Sequence, residues 1–234
     1  MLRQDGMDAS YVDLADPSHL EFDYLRWIRI VLRAAHTRRV LHVGGGACAL
    51  PRALAAEDPD GRQEVCEVDP AVLALAREHM GLRRARGLRV RVAEGRAGIA
   101  AQRDGGWDAI VVDAFVGATV PRRLITVEVV ADIARVTPLV LVNVVDGRAA
   151  RDVARIGAAL ASAFPTVWGL GGRGGNTVVV GSADPLNLTR IGAQAAADPS
   201  RPRLALPAEM ARLAAATVAL RDRDLESAMG EGGE

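Results

Sequence analysis

Lysine is missing from this sequence: the 29 basic residues that offset its 29 acidic ones are all arginine. The absence excludes a lysine Schiff base and any other catalytic lysine, and a codon bias toward GC-rich triplets accounts for it without a mechanism. Cysteine is nearly as scarce. Cys48 and Cys66 both lie among apolar residues in segments that read as core, so buried thiols are expected rather than a disulfide, in keeping with a reducing compartment. No apolar run approaches the ~20 residues needed to cross a bilayer, and Met1 to Ser10 lacks the charged-then-apolar layout of a signal peptide. A soluble, cytoplasmic protein without a membrane partner is expected. The formal net charge is zero, so no overall field favours nucleic acid or an anionic surface. Aromatic residues make up only 3% of the chain, and Trp27, Trp107 and Trp168 are scattered, without the basic patch of a nucleic-acid stacking platform. His36, His42 and His79 have no metal-ligand spacing. No metal is expected, and the default partner is a small molecule.

What the chain does have is apolar residues, 50% of its 234 positions, enough for one good core and little room for a second. Asp16-Pro17 predicts a helix start, with the acid as cap and proline in the first turn; Tyr24, Ile28, Val31, Leu32 and Ala35 then recur at helical spacing. From Arg39 onward, short β-branched runs alternate with alanine-rich stretches, the pattern of successive strand and helix units. Strands are expected near 40–43, 64–68, 88–92, 109–112 and 139–144, their continuous apolar character suiting a parallel sheet covered on both faces. Residues 164–169 and 177–181 flank a glycine-rich turn and read as an antiparallel hairpin. The fold class is therefore α/β: a Rossmann-like, class I methyltransferase-type domain with a mostly parallel central sheet ending in that hairpin, helices on both faces. It is expected over 16–220, with a short N-terminal extension over 1–15, able to form at most a strand or hairpin, and a disordered tail over 221–234.

The first strand runs into His42-Val43-Gly44-Gly45-Gly46-Ala47. Glycines at a strand-to-helix junction let backbone approach a ligand closely, although a glycine cluster also serves a plain tight turn. The next strand ends in Glu67-Val68-Asp69-Pro70, placing an acid where a ribose hydroxyl requires one; Asp69, before proline and a helix, suits an N-cap better. Glu94-Gly95 follows the third strand. Glu94 suits either an adenine amino group or the positive end of a helix dipole. Asp113 ends the fourth strand, and Asn143, near the end of the fifth, faces either the crevice or a turn. In open α/β sheets ligands gather at carboxyl ends of strands, so these acids converge on one crevice.

Taken in order, Ser10 to Leu14, Leu20 to Tyr24, the triple glycine, Glu67-Val68-Asp69, Glu94-Gly95 and Asp108 to Phe115 resemble the spermidine synthase, or polyamine aminopropyltransferase, family over roughly residues 10 to 185. The resemblance implies a site for decarboxylated S-adenosylmethionine, or S-adenosylmethionine itself, lined by Gly44, Gly45, Gly46, Glu67, Val68, Glu94 and Gly95. Glu67 would hold the ribose and Glu94 lie near the adenine. It further implies Asp113 and Tyr24 as catalytic residues, with Glu21, Tyr24 and Asp113 facing an amine acceptor. The sequence leaves the oligomeric state open, a homodimer being the commonest outcome. Three positions differ from the family pattern. The N-terminal β-rich domain shrinks to a short segment, Ala47 stands where the family carries an Asp after the glycines, and Val116 stands where it carries a second Asp after Asp113. A methyltransferase or a catalytically silent nucleotide-binding homologue shares the same elements, and a nicotinamide dehydrogenase shares the glycine turn and acid.

Overall fold

The alternation of β-branched and alanine-rich segments becomes an eight-stranded sheet with helices on both faces. The computed structural model describes residues 1–4, 6–146, 150–171 and 175–225. In chain order the elements are β1 (Leu2–Gln4), β2 (Met7–Ser10), α1 (Asp23–Ala34), β3 (Arg39–Val43), α2 (Ala49–Glu57), β4 (Arg62–Glu67), α3 (Pro70–His79), β5 (Leu88–Val92), α4 (Gly95–Ala100), β6 (Ala109–Val112), α5 (Val127–Val136), β7 (Leu139–Asp146), α6 (Arg151–Leu160), β8 (Thr166–Gly171), β9 (Gly175–Ser182), α7 (Leu188–Ala197), β10 (Arg203–Ala205) and α8 (Pro207–Ala215).

The sheet order is β10-β8-β9-β7-β6-β3-β4-β5. Strands β5, β4, β3, β6 and β7 pair in parallel, and β9, β8 and β10 add antiparallel neighbours. Because β3 leads to β4 on one side while β6 lies on its other side, the chain reverses its direction of winding between β3 and β6. This switch opens the crevice in which ligands of such sheets bind. Alternate residues of β3 and β6 feed two separate cores. Leu41, Val43, Ile110 and Val112 pack with Ile133 of α5 and Ile156 of α6, while Val40, Ala109 and Val111 pack with Ile28, Val31 and Leu32 of α1 and with Ala53 of α2. Each fully buried aliphatic side chain contributes roughly 1.5–3 kcal/mol, so the strand ends carrying the site are held from both faces.

Several details depart from the expectation. Asp16 does not start α1; its carboxylate accepts from the Ser18 amide and hydroxyl, closing a turn. The helix begins at Asp23 and is fastened by Arg26, which donates to the Leu20 and Glu21 carbonyls and pairs with Asp198. The three-residue strand β10 was not expected, since so short an edge strand carries almost no periodic signal. Residues 221–225, assigned to the tail, are ordered: Asp222 pairs with Arg96 and its amide donates to Glu128. Residues 226–234 and the hairpin turn at 172–174 lie outside the described residues. The N-terminal segment forms the β1–β2 hairpin, Leu2 packing with Val72, Leu73 and Met80. Among the described residues no helix is long and apolar enough to cross a membrane.

Candidate active site

The glycine turn is built by close approach. Gly44 has φ 79° and Gly46 φ 49°, backbone that costs a residue bearing a Cβ about 1–2 kcal/mol. At Gly44 sterics add to this, because a Cβ there would overlap the Asp113 backbone carbonyl. Four strand ends are then tied together: the Gly44 amide donates to the Cys66 carbonyl at 2.8 Å, that of Asp113 to Val43 at 2.9 Å, and that of Ala93 to Glu67 at 2.9 Å. Glu67 is 8% exposed. Its Oε2 accepts from the Gly45 and Gly46 amides, both at 3.2 Å, and its Oε1 from Asp69 at 3.0 Å. This carboxylate therefore shapes the turn it was expected to serve beside.

Asp113 lies beside the turn, just past β6. Its Oδ2 accepts from the Tyr24 hydroxyl at 3.1 Å and its Oδ1 from Asn143 Nδ2 at 2.8 Å, while Asn143 Oδ1 accepts from Asn176 Nδ2 at 2.9 Å. Tyr24 comes from α1, Asn143 from β7 and Asn176 from β9. Burial raises the Asp113 carboxyl above the usual carboxylate range; the bonds from Asn143 and Tyr24 oppose the rise and the charge of Glu67 adds to it. Tyr24 is pushed well above its ordinary value, by burial first and by Asp113 second. It stays a neutral donor, stacked on Phe22 with ring centroids 6.0 Å apart. Asp113, Tyr24 and Phe22 border a cavity of about 70 Å³, also lined by Ser10, His42, Gly44, Gly45 and Gly46. It has space for the reacting end of a small molecule, and a nucleotide would extend into the open crevice beyond it.

Other expected site residues are placed differently. Glu94 caps α4, its Oε2 accepting from the Ala97 amide at 2.9 Å, and its Oε1 lies 3.3 Å from Arg123. Asp69 caps α3 through the Ala71 amide at 2.7 Å. Gly95 is buried where a Cβ would run into Val43, so packing alone requires glycine there. Val68 is exposed. Glu21 is not brought to the cavity; it meets His19 at 3.0 Å. Ala47 is fully buried and Val116 is 70% exposed. Sequence reasoning missed Asn176, whose partner lies 33 residues earlier, and it read His42 only as lacking a metal-ligand spacing. His42 is packed in β3 and bonded to Gln63, with burial lowering its pKa to about 4, yet it also lines the cavity as a neutral imidazole. Among the described residues no group of three or more His, Cys, Asp or Glu is arranged to hold a metal ion.

No model of a known protein family matches the chain. The polyamine aminopropyltransferase of Vibrio vulnificus is 29% identical over 114 residues, covering 45% of this chain and 37% of that protein. The match thus spans well under half of the curated relative. A probable spermidine synthase from Corynebacterium glutamicum superposes with a TM-score of 0.85 and 27% identity, covering 93% of this chain and 86% of that one. Human methyltransferase-like protein 13, in complex with SAH, has the same fold at a TM-score of 0.60 and 17% identity, over 88% of this chain and 97% of that one. A spermidine synthase in complex with the transition-state analogue AdoDATO has it at 0.55 and 16%, over 87% of this chain and 73% of that one. In fold the chain is similar to spermidine synthases, with the central sheet and helical layers of the class I methyltransferase fold.

Proposed function

We propose that the chain is an aminopropyltransferase that moves the aminopropyl group of decarboxylated S-adenosylmethionine onto an amine. The observation that carries the reading is a partly buried carboxylate, Asp113, held by Tyr24 and Asn143 at the switch point of the sheet, beside a glycine turn. In the reaction the neutral amine nitrogen attacks the methylene carbon beside the sulfonium. The new C–N bond forms as the C–S bond breaks, sulfur keeps the electron pair, and methylthioadenosine leaves. The ammonium so formed gives up one proton, and Asp113 accepts it.

The chain's own groups fit these tasks. An acid whose pKa is raised by burial is a better proton acceptor than an ordinary carboxylate, and the bonds from Tyr24 and Asn143 fix both its oxygens. Orientation of the amine in line with the sulfonium contributes further. For the nucleotide, Glu67 offers a remaining lone pair to the ribose, Gly44, Gly45 and Gly46 allow backbone approach, and Val68 and Gly95 are assigned to the donor side by the resemblance alone. Glu94 caps α4 with one oxygen and offers the other to the adenine amino group in exchange for Arg123. Glu21 reaches the acceptor only after leaving His19. Asp113 is the only carboxylate among the described residues lining the cavity, so the acceptor's far end is weakly selected.

Incubation with decarboxylated S-adenosylmethionine and a panel of putrescine, spermidine and a monoamine, followed by chromatography, is expected to release methylthioadenosine. Release from none of them sinks the proposal. Tighter calorimetric binding of S-adenosylhomocysteine than of methylthioadenosine would redirect it to methyl transfer. Cytoplasmic location and a homodimer belong to the same proposal, checked by fractionation and light scattering.

A further inference from the structure

Arginines of this chain are mostly tied to carboxylates, as Arg26, Arg38, Arg39, Arg96 and Arg135 are. Of those without a carboxylate partner among the described residues, Arg52, Arg77, Arg83, Arg84 and Arg86 lie together, in α2, in α3 and in the segment that follows α3. Arg52, in α2, is only 6% exposed. Its Nη1 donates to the Met80 carbonyl at 2.6 Å, while its Nε and Nη2 are buried with no hydrogen-bond partner. Leaving guanidinium donors buried and unmatched is costly, and such groups call for a partner. Burial is also what lowers the pKa of this guanidinium.

Arg52 lies in the wall of a cleft of about 740 Å³ that is also lined by Arg77, Arg83, Arg84 and Arg86. All four are exposed, and none makes an ion pair among the described residues. The cleft has two carboxylates against five arginines: Asp13 accepts from the Ala15 and Asp16 amides, and Glu78 lies 3.6 Å from His79, itself a lining residue. In a chain of zero net charge, this is a concentrated positive site.

We propose that this cleft binds an oligophosphate, inorganic or carried by a nucleotide. Guanidinium forks match phosphate oxygens in bidentate pairs, and several around one cavity suit a compact multiply charged anion. The volume is that of a small-ligand site. His79 is the only aromatic ring among its lining residues, so a single-stranded nucleic acid would find none of the Phe, Tyr or Trp platforms on which bases stack. The site lies apart from the cavity at Asp113, sharing none of its lining residues, and does not rest on aminopropyl transfer.

Calorimetric titration of the full chain at low salt with inorganic triphosphate and with ATP tests it. Saturable one-site binding of triphosphate is expected; a higher affinity for ATP identifies the nucleotide-borne form, and equal affinity the inorganic one. The surface double variant Arg77→Gln/Arg84→Gln, which removes no buried contact, is expected to weaken binding about tenfold or more. Arg52→Lys keeps the charge and a donor for the Met80 carbonyl but loses the fork, and is expected to weaken binding with an unchanged melting temperature. The proposal is overturned by no saturable binding at millimolar ligand, by affinity unaltered in both variants, or by tighter binding of a single-stranded RNA than of triphosphate.

Discussion

Replacing Asp113 by Asn should make the protein less active and no less stable. The two oxygens of the carboxylate accept from Tyr24 at 3.1 Å and from Asn143 at 2.8 Å. An amide of the same shape keeps the second bond by turning its oxygen to Asn143, and its NH2 then faces the Tyr24 hydroxyl, which can accept. The charge is what changes. Because burial raises the Asp113 carboxyl above its unfolded value, this acid favours the folded state fully below the unfolded pKa, and that contribution is lost as pH rises through the folded pKa. At neutral pH the wild type carries the burden of a desolvated carboxylate and Asp113→Asn does not. The variant should therefore melt at the same or a higher temperature at pH 7, with the difference vanishing in acid. Loss of a positioned proton acceptor should lower kcat by about 10²- to 10⁴-fold, equivalent to about 3–5.5 kcal/mol of barrier. Differential scanning calorimetry at two pH values and a methylthioadenosine-release assay read the two effects. A loss of kcat below tenfold, or a clear fall in melting temperature at pH 7, would refute the reasoning.

Tyr24→Phe removes a bond that lowers the Asp113 pKa, so the acidic limb of the pH–rate profile, where activity appears as Asp113 loses its proton, should move to higher pH; an unmoved limb counts against Asp113 as the base. Gly44→Ala meets both the positive φ and the Asp113 carbonyl, and urea unfolding should show a loss of more than 2 kcal/mol with the donor site disrupted. Cys48, its thiol raised to about 12 chiefly by burial, should resist iodoacetamide in the native protein and react only after unfolding, as mass spectrometry of the labelled chain will report.

The parallel strands were legible because each is a short β-branched run bounded by glycine, proline or acid, and the structure keeps them within a residue or two. Legibility failed where a local signal had more than one physical outcome. Asp16-Pro17 is as good a turn as a helix start, and only the Arg26 contacts to residues 20, 21 and 198 decide where α1 begins. Glu94 carries both a cap position and a strand-end position in the sequence, and the geometry assigns one oxygen to the cap. The Asn143–Asn176 link depends on register: Asn143 opposes Val178 and Asn176 opposes Val145, which brings the two amides diagonally together on one face. No window of sequence contains that information. The Arg52 cleft was hidden for a related reason, since an unpaired arginine is recognised only once the partners of the others are known.

The tie between Gly44 and Asp113 bears on how the site can move and change. With no room for even a methyl group between the turn and the end of β6, and with backbone bonds joining β3 to both neighbours there, the donor loop and the acid behave as one rigid body. Any closure around a ligand then falls to the opposite wall, formed by Ser10 of the N-terminal hairpin and by Phe22 and Tyr24 at the start of α1. On the proposed function, acceptor preference would change with that N-terminal wall while the acid and the glycine turn keep their spacing, so one chemistry would be retained through successive changes of substrate.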